Sequence, residues 1–239
     1  MKKQKKDYLA LALDNVTEKE KILNLVEQTK KYIGIFKIGL EQYIRFGPEI
    51  IHSVQKSGNK IFLDLKLHDI PNTVAKAVYA ASELKVDYLT IHTTGGLEMM
   101  KAAAEIAKSC DTPPKLIGVT VLTSIDQYAL NNELKVDGTV AEQVAHLAQL
   151  AVQAELDGIV CSAAELPEIK RHIPDGFEVI TPGIRPAGTE TGDQKRVVTP
   201  QQSIDNGATT LVIGRPINAA ENPGKSAMNI YNDLYPRVN

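Results

Sequence analysis

The residues best equipped for chemistry gather in one run, Ile61-Phe62-Leu63-Asp64-Leu65-Lys66-Leu67-His68-Asp69-Ile70-Pro71-Asn72-Thr73. Extended backbone sends successive side chains to opposite faces, so Asp64 and Lys66 share one face roughly 6.5–7 Å apart. Leu63, Leu65 and Leu67 occupy the other face, where they can pack beneath helices. An earlier segment has the same alternation: Ile35, Lys37 and Gly39 on one side, Phe36, Ile38 and Leu40 on the other. Neighbouring strands lie about 4.8 Å apart, which brings Lys37 within reach of Asp64. A fixed ammonium in a water-excluded pocket stabilises negative charge developing on a substrate atom, and flanking carboxylates keep that ammonium charged. A purely structural ion pair is the competing reading. It is weakened because buried charge is costly and apolar replacements often stabilise a protein. Asp69 also has a structural reading, as the cap of a helix beginning near Pro71.

Such side chains need rigid elements to hold them. Short β-branched runs suggest strands over Tyr8–Leu13, Ile33–Leu40, Lys60–Leu65, Val86–Ile91, Lys115–Val121, Gly158–Cys161, Phe177–Thr181 and Thr209–Ile213. Helical patterns separate them. Four begin with a capping box or close variant: Thr17-x-x-Glu20, Thr139-x-x-Glu142, Ser162-x-x-Glu165 and Thr199-Pro200-x-Gln202. Eight strands alternating with helices predict an α/β fold, a single-domain (β/α)8 TIM barrel spanning residues 1–239. A doubly wound open sheet is the rival architecture. It usually carries a glycine-rich turn after its first strand, where this chain has Leu13-Asp14-Asn15-Val16.

Barrel chemistry sits at the C-terminal ends of the strands. Polar residues collect there: Asp14, Lys37, Asp64 with Lys66, His92-Thr93-Thr94, Thr123-Ser124, Pro182-Gly183-Ile184-Arg185 and Gly214-Arg215. The net charge of -2 gives no global field favouring nucleic acid or an anionic membrane, and neither partner is expected. No run approaches the ~20 apolar residues of a membrane span. The basic start, residues 1–6, reads as a solvated tail rather than a targeting segment, because Asp14 soon interrupts the apolar run after it. Two distant cysteines suggest neither a disulfide framework nor a thiolate metal site, which fits a reducing cytoplasm. No His/Cys/carboxylate cluster has metal-ligand spacing, so no metal is expected.

The run from Asp64 to Thr73 is similar to the DxKxxDIPxT signature of orotidine 5′-monophosphate decarboxylases. The resemblance extends through Leu11-Ala12-Leu13-Asp14, Phe36-Lys37-Ile38-Gly39, Thr181-Pro182-Gly183-Ile184-Arg185 and Ile213-Gly214-Arg215-Pro216-Ile217. The DxKxxD core alone is shared with metal-dependent sugar-phosphate decarboxylases and aldolases. Lys37 and the DIPNT extension make the match specific.

The resemblance implies an enzyme without cofactor or metal that converts orotidine 5′-monophosphate to uridine 5′-monophosphate, ending de novo UMP synthesis. Lys37, Asp64, Lys66 and Asp69 would alternate in charge against C6 of the pyrimidine, and Lys66 would deliver the proton that replaces carbon dioxide. Asp69 and Thr73 would act across a homodimer interface. Asp14 and Lys37 would hold ribose hydroxyls, with Asn72 and Thr73 nearby. Thr123 and Ser124 stand where the family contacts the pyrimidine, with no choice between them. Pro182 follows strand seven. Arg185 and Gln194 belong to a polar, glycine-bearing loop that would close over phosphate and pyrimidine; an ordinary surface loop is the alternative. Gly214 and Arg215 would take the phosphate. Two rival functions are a magnesium-dependent keto-sugar-phosphate decarboxylase and a non-catalytic nucleotide-binding barrel. The first normally has an acidic residue where Lys37 stands, and the second has no need of so costly a charge array.

Overall fold

A computed structural model describes residues 3–184 and 198–235 of the chain. Eight parallel strands close into a barrel in sequence order: β1 (Leu9–Ala12), β2 (Ile35–Gly39), β3 (Lys60–Leu67), β4 (Tyr88–His92), β5 (Lys115–Val119), β6 (Gly158–Val160), β7 (Glu178–Thr181) and β8 (Thr210–Ile213). β1 pairs with β8 through Leu9↔Leu211, which completes the ring and leaves no exposed sheet edge. The helices are α1 (Lys19–Thr29), α2 (Leu40–Phe46), α3 (Pro48–Gln55), α4 (Pro71–Ser82), α5 (Leu97–Lys108), α6 (Val140–Gln153), α7 (Leu166–Ile169), α8 (Pro200–Asp205), α9 (Arg215–Asn218) and α10 (Pro223–Asp233). They supply the crossovers that parallel neighbours require.

The strands are apolar on both faces. Outward-facing Leu11, Phe36, Ile38, Leu63, Leu89 and Ile213 pack against helical residues such as Ile22, Val78, Met100 and Ala148. Inward-facing Ala10, Ala12, Ile35, Phe62, Tyr88, Ile117, Ile180 and Val212 fill the lumen. Phe62 and Tyr88 meet edge-on there, with ring centroids 5.8 Å apart. This apolar layer supports the polar mouth above it.

The predicted strands are all present, most ends trimmed by one or two residues; β3 instead runs two residues longer, to Leu67, and β4 one longer, to His92. Pairing of β3 with β4 moves from Leu63↔Leu89 to Leu67↔Ile91, so β3 carries two extra residues there. Lys66 lies within this bulge in left-handed backbone, φ 51°. The capping boxes at Thr139/Glu142 and Thr199/Gln202 form. The other two do not. Helix α1 starts beyond Thr17, with extended Glu18 at its N-cap. Ser162 instead accepts from the Ala164 amide at 3.2 Å, a local turn bond that competes with capping.

Residues 3–6 of the basic N-terminal segment are not a solvated tail. Lys3 Nζ reaches the barrel floor and donates to the Thr209 carbonyl at 2.8 Å, beside Glu178 Oε2 at 3.5 Å. Lys5 lies over the rings of Tyr231 and Tyr235 and donates to the Asn232 carbonyl. Half-buried Glu178 needs cations, and local sequence cannot reveal a partner 175 residues away. Among the described residues no helix is long and apolar enough to cross a membrane.

Candidate active site

Two residues beyond the apolar layer, the same strands turn polar. Ile35 leads to Lys37, Phe62 to Asp64 and Tyr88 to Thr90, all facing inward by alternation. Lys37 and Asp64 are 7% and 8% exposed, and Thr90 is wholly buried. Lys37 Nζ lies 2.9 Å from Asp14 Oδ2 and 3.3 Å from Asp64 Oδ2. Lys66 Nζ donates to both oxygens of Asp64, at 2.8 and 2.9 Å. Carboxylate and ammonium thus alternate continuously through Asp14, Lys37, Asp64 and Lys66.

Burial presses the Lys37 ammonium towards neutrality, but Asp64 and Asp14 outweigh it and hold its pKa above the ordinary lysine value. Burial likewise pushes Asp64 up, and the opposing pull of Lys37 and Lys66 leaves it below the usual aspartate value. Both groups are charged at neutral pH. Gly39 makes room for this arrangement: a Cβ there would sit 2.6 Å from Asp14 Oδ1 and 3.3 Å from Lys37 Nζ.

A cavity of about 460 Å³ opens over the array, within the size range of small-molecule sites. Its wall brings together Asp14, Lys37, Asp64 and Lys66 with Pro182, Gly183, Gly214 and Arg215. Anionic and cationic ends of a ligand therefore have distinct neighbours. A smaller cleft of about 310 Å³ between Thr17, Gln28 and Pro223 holds none of the predicted site residues.

Other predicted residues lie elsewhere. Asp69, Asn72 and Thr73 are exposed and outside the cavity wall, as are Thr123 and Ser124. Asp69 does not cap α4: Ile70 is the N-cap, and the Asp69 carboxylate accepts from the Ile70 amide at 2.7 Å. Arg185 and Gln194 lie outside the described residues. His92 ends β4 but is absent from the cavity wall; its ring lies 5.3 Å from that of His68.

Sequence reasoning missed two participants. Asn218 donates from α9 to the carbonyls of Ala12 and Asp14, at 3.2 and 3.0 Å, tying the turn after β8 to the loop after β1. Thr90 donates to Asp64 Oδ1 at 2.9 Å. Its even spacing from inward-facing Tyr88 and terminal His92 was the available signal.

A closed ring of eight parallel strands with paired lysines and aspartates at its C-terminal mouth defines a (β/α)8 barrel of the enzyme type. Residues 7–230 match the family model described as Orotidine 5′-phosphate decarboxylase / HUMPS family. The chain belongs to that family. It is 48% identical over 222 residues to the orotidine 5′-phosphate decarboxylase of Pseudoalteromonas translucida, covering 92% of this chain and 93% of that one. The namesake from Idiomarina loihiensis is 46% identical over 224 residues, covering 94% and 96%. The crystal structure of orotidine 5′-phosphate decarboxylase from Lactobacillus acidophilus superposes with a TM-score of 0.82 at 34% identity, covering 94% of this chain and 97% of that one.

Proposed function

We propose that this protein is a carboxy-lyase that converts orotidine 5′-monophosphate to uridine 5′-monophosphate, the last step of de novo UMP synthesis. The observation that carries the reading is the row Asp14–Lys37–Asp64–Lys66, its two central residues buried, facing an open cavity at the barrel mouth. Family membership and relatives of nearly equal length support it.

In this reading Lys66 is the proton donor. As the C6–carboxylate bond breaks, its electron pair stays on C6, carbon dioxide departs, and a proton from Lys66 Nζ forms the new C6–H bond. No cofactor is required for that sequence. The developing negative charge faces a preorganised ammonium, and such stabilisation is largest where bound substrate excludes water. Asp64 stands beside the leaving carboxylate. At 4 Å and an effective dielectric of 20, two such charges repel by about 4 kcal/mol. Enzymatic barrier reductions reach about 20 kcal/mol, so stabilisation of the transition state is the larger effect.

Asp14 and Lys37 hold the ribose. Gly214 and Arg215, at the start of α9, take the phosphate; Pro182 binds substrate, and Arg185 and Gln194 contact phosphate and pyrimidine. Thr123 or Ser124 contacts the pyrimidine. Asp69 and Thr73, with Asn72 beside them, complete the array of a second copy in a homodimer. Support for the dimer is exposed apolar surface: Ile70, between Asp69 and Thr73, is 66% exposed, and Leu40 and Ile44 of α2 are 48% and 79% exposed. Sedimentation of the wild type as a monomer would remove this part of the reading. Both cysteines are free thiols, which supports a reducing cytoplasm.

The magnesium-dependent alternative is disfavoured by what occupies the carboxylates. Asp14 and Asp64 each hold an ammonium, and Lys37 stands where a cation would have to be coordinated. The test is to add orotidine 5′-monophosphate to chelator-treated protein and follow loss of the orotate absorbance. Turnover is expected; no loss of absorbance would refute the proposal.

A further inference from the structure

Lys66 sits at the one place where the barrel's strand pairing slips. Three residues, Asp64, Leu65 and Lys66, intervene between paired Leu63 and Leu67, while only Thr90 separates their partners Leu89 and Ile91. Lys66 adopts φ 51°, a left-handed conformation that L-residues rarely hold unless their surroundings fix it. Its amide, displaced from the regular ladder, donates instead to Thr90 Oγ1 at 2.8 Å. A hydroxyl has one proton to give. Thr90 gives it to Asp64 Oδ1 at 2.9 Å, and Asp64 accepts from Lys66 Nζ on both oxygens.

These bonds form a closed ring that leaves Lys66 by its backbone and returns through its side chain. Both ends of the residue are therefore set by one buried hydroxyl. Thr90 has no exposed surface and does not border the cavity, so it cannot serve by touching a ligand. We propose that Thr90 is a positioning residue, whose hydroxyl holds the Lys66 bulge and the Asp64 carboxylate so that the lysine ammonium is aimed at the reacting carbon. The inference rests on the assignment of Lys66 as proton donor and adds what keeps it in place. A side chain with four methylene groups would otherwise sample many rotamers, and misplacement by about 1 Å can lower a rate roughly 100-fold.

The test compares Thr90→Val, which keeps the shape and removes the hydroxyl, with Thr90→Ser, which restores it. Steady-state turnover of orotidine 5′-monophosphate and amide exchange at Lys66 are measured for both. Thr90→Val is expected to lower kcat by about 10- to 100-fold with KM changed less than about threefold, because ribose and phosphate contacts survive. Exchange at the Lys66 amide should accelerate in parallel, and Thr90→Ser should recover most of both. If Thr90→Val does not fold, Thr90→Ser against Thr90→Ala isolates the hydroxyl in the same way. Wild-type kcat in the hydroxyl-free variant, or a serine variant as impaired as the variant without a hydroxyl, would overturn this inference while leaving the proposed function intact. A wild-type protein that does not decarboxylate the nucleotide would overturn both.

Discussion

Replacing Asp64 with asparagine removes one charge from the centre of the row and leaves the shape nearly unchanged. Asp64 Oδ2 lies 3.3 Å from Lys37 Nζ, and Oδ1 lies 2.8 Å from Lys66 Nζ. At an effective dielectric of 20 these separations correspond to attractions of about 5 and 6 kcal/mol before desolvation is counted. Desolvation offsets most of that gain, and breaking a buried pair typically costs about 3–5 kcal/mol net. The low end applies here, because Lys37 keeps Asp14 and the Lys66 side chain is 31% exposed, so its share is screened. The expected loss for Asp64→Asn is about 3 kcal/mol, which lowers the Tm of a domain this size by about 6–12 °C. Thermal melts by circular dichroism, repeated from about pH 7 to about pH 3, provide the assay. The folded pKa of Asp64 lies below its ordinary 3.8, so its contribution is present above that value and is lost as pH falls through the folded one. The gap between wild type and variant should therefore hold constant above about pH 5 and close at the acid end. An Asp64→Asn variant as stable as wild type, or a gap that ignores pH, would refute the argument that this row is held by charge.

Lys66→Ala should lower kcat by about 10^4-fold or more, combining lost proton donation with lost charge stabilisation, while far-UV dichroism still reports a folded barrel. Arg215→Ala should reduce kcat/KM for the phosphorylated substrate by about 10- to 100-fold, the worth of a charged hydrogen bond, and barely alter the bare nucleoside; equal losses for both would remove Arg215 from the phosphate site. Lys3→Met should lower stability by about 1–3 kcal/mol in denaturant melts through loss of its bonds at the barrel floor, with kcat held within about twofold.

The barrel was legible because its signals are local. Each strand is a short β-branched run, and the inward set Ile35/Lys37 and Phe62/Asp64 follows from a period of two residues. Lys37 and Asp64 were therefore placed correctly on adjacent strands. Lys66 reached Asp64 as expected but by a different route. Alternation takes β3 to be regular, whereas the backbone bulges there, and a long flexible stem restores the contact. Alternation along β4 places Thr90 inward, but its pairing with Lys66, 24 residues away, depends on the bulge and is beyond a local pattern. The floor was misread for the same reason. A lysine-rich start has the composition of a solvated tail, and only the fold brings Lys3 to a half-buried glutamate. Asp69 and Thr73 show the opposite limit: signature residues that lie exposed and outside the cavity wall, so the role proposed for them rests on a second copy.

The two ends of the lumen use the same residue types for different purposes, and the difference lies in saturation. On the floor, Glu178 accepts from Lys115 Nζ at 2.8 Å and Thr209 Oγ1 at 2.6 Å, with Lys3 Nζ at 3.5 Å. Burial raises its pKa, but two ammonium groups and these hydrogen bonds outweigh burial and bring it down to about 2. Such a carboxylate is engaged on both oxygens and does not border the cavity, so it serves stability. At the mouth, Asp64 is equally well supplied, but the ammonium beyond it is not. Lys66 has three N–H donors, and among the described residues its ammonium bonds Asp64 alone. Its remaining capacity borders the cavity. A fully engaged carboxylate behind an ammonium with a donor to spare holds Lys66 from one side and leaves the other side to the cavity, as the proposed proton delivery requires.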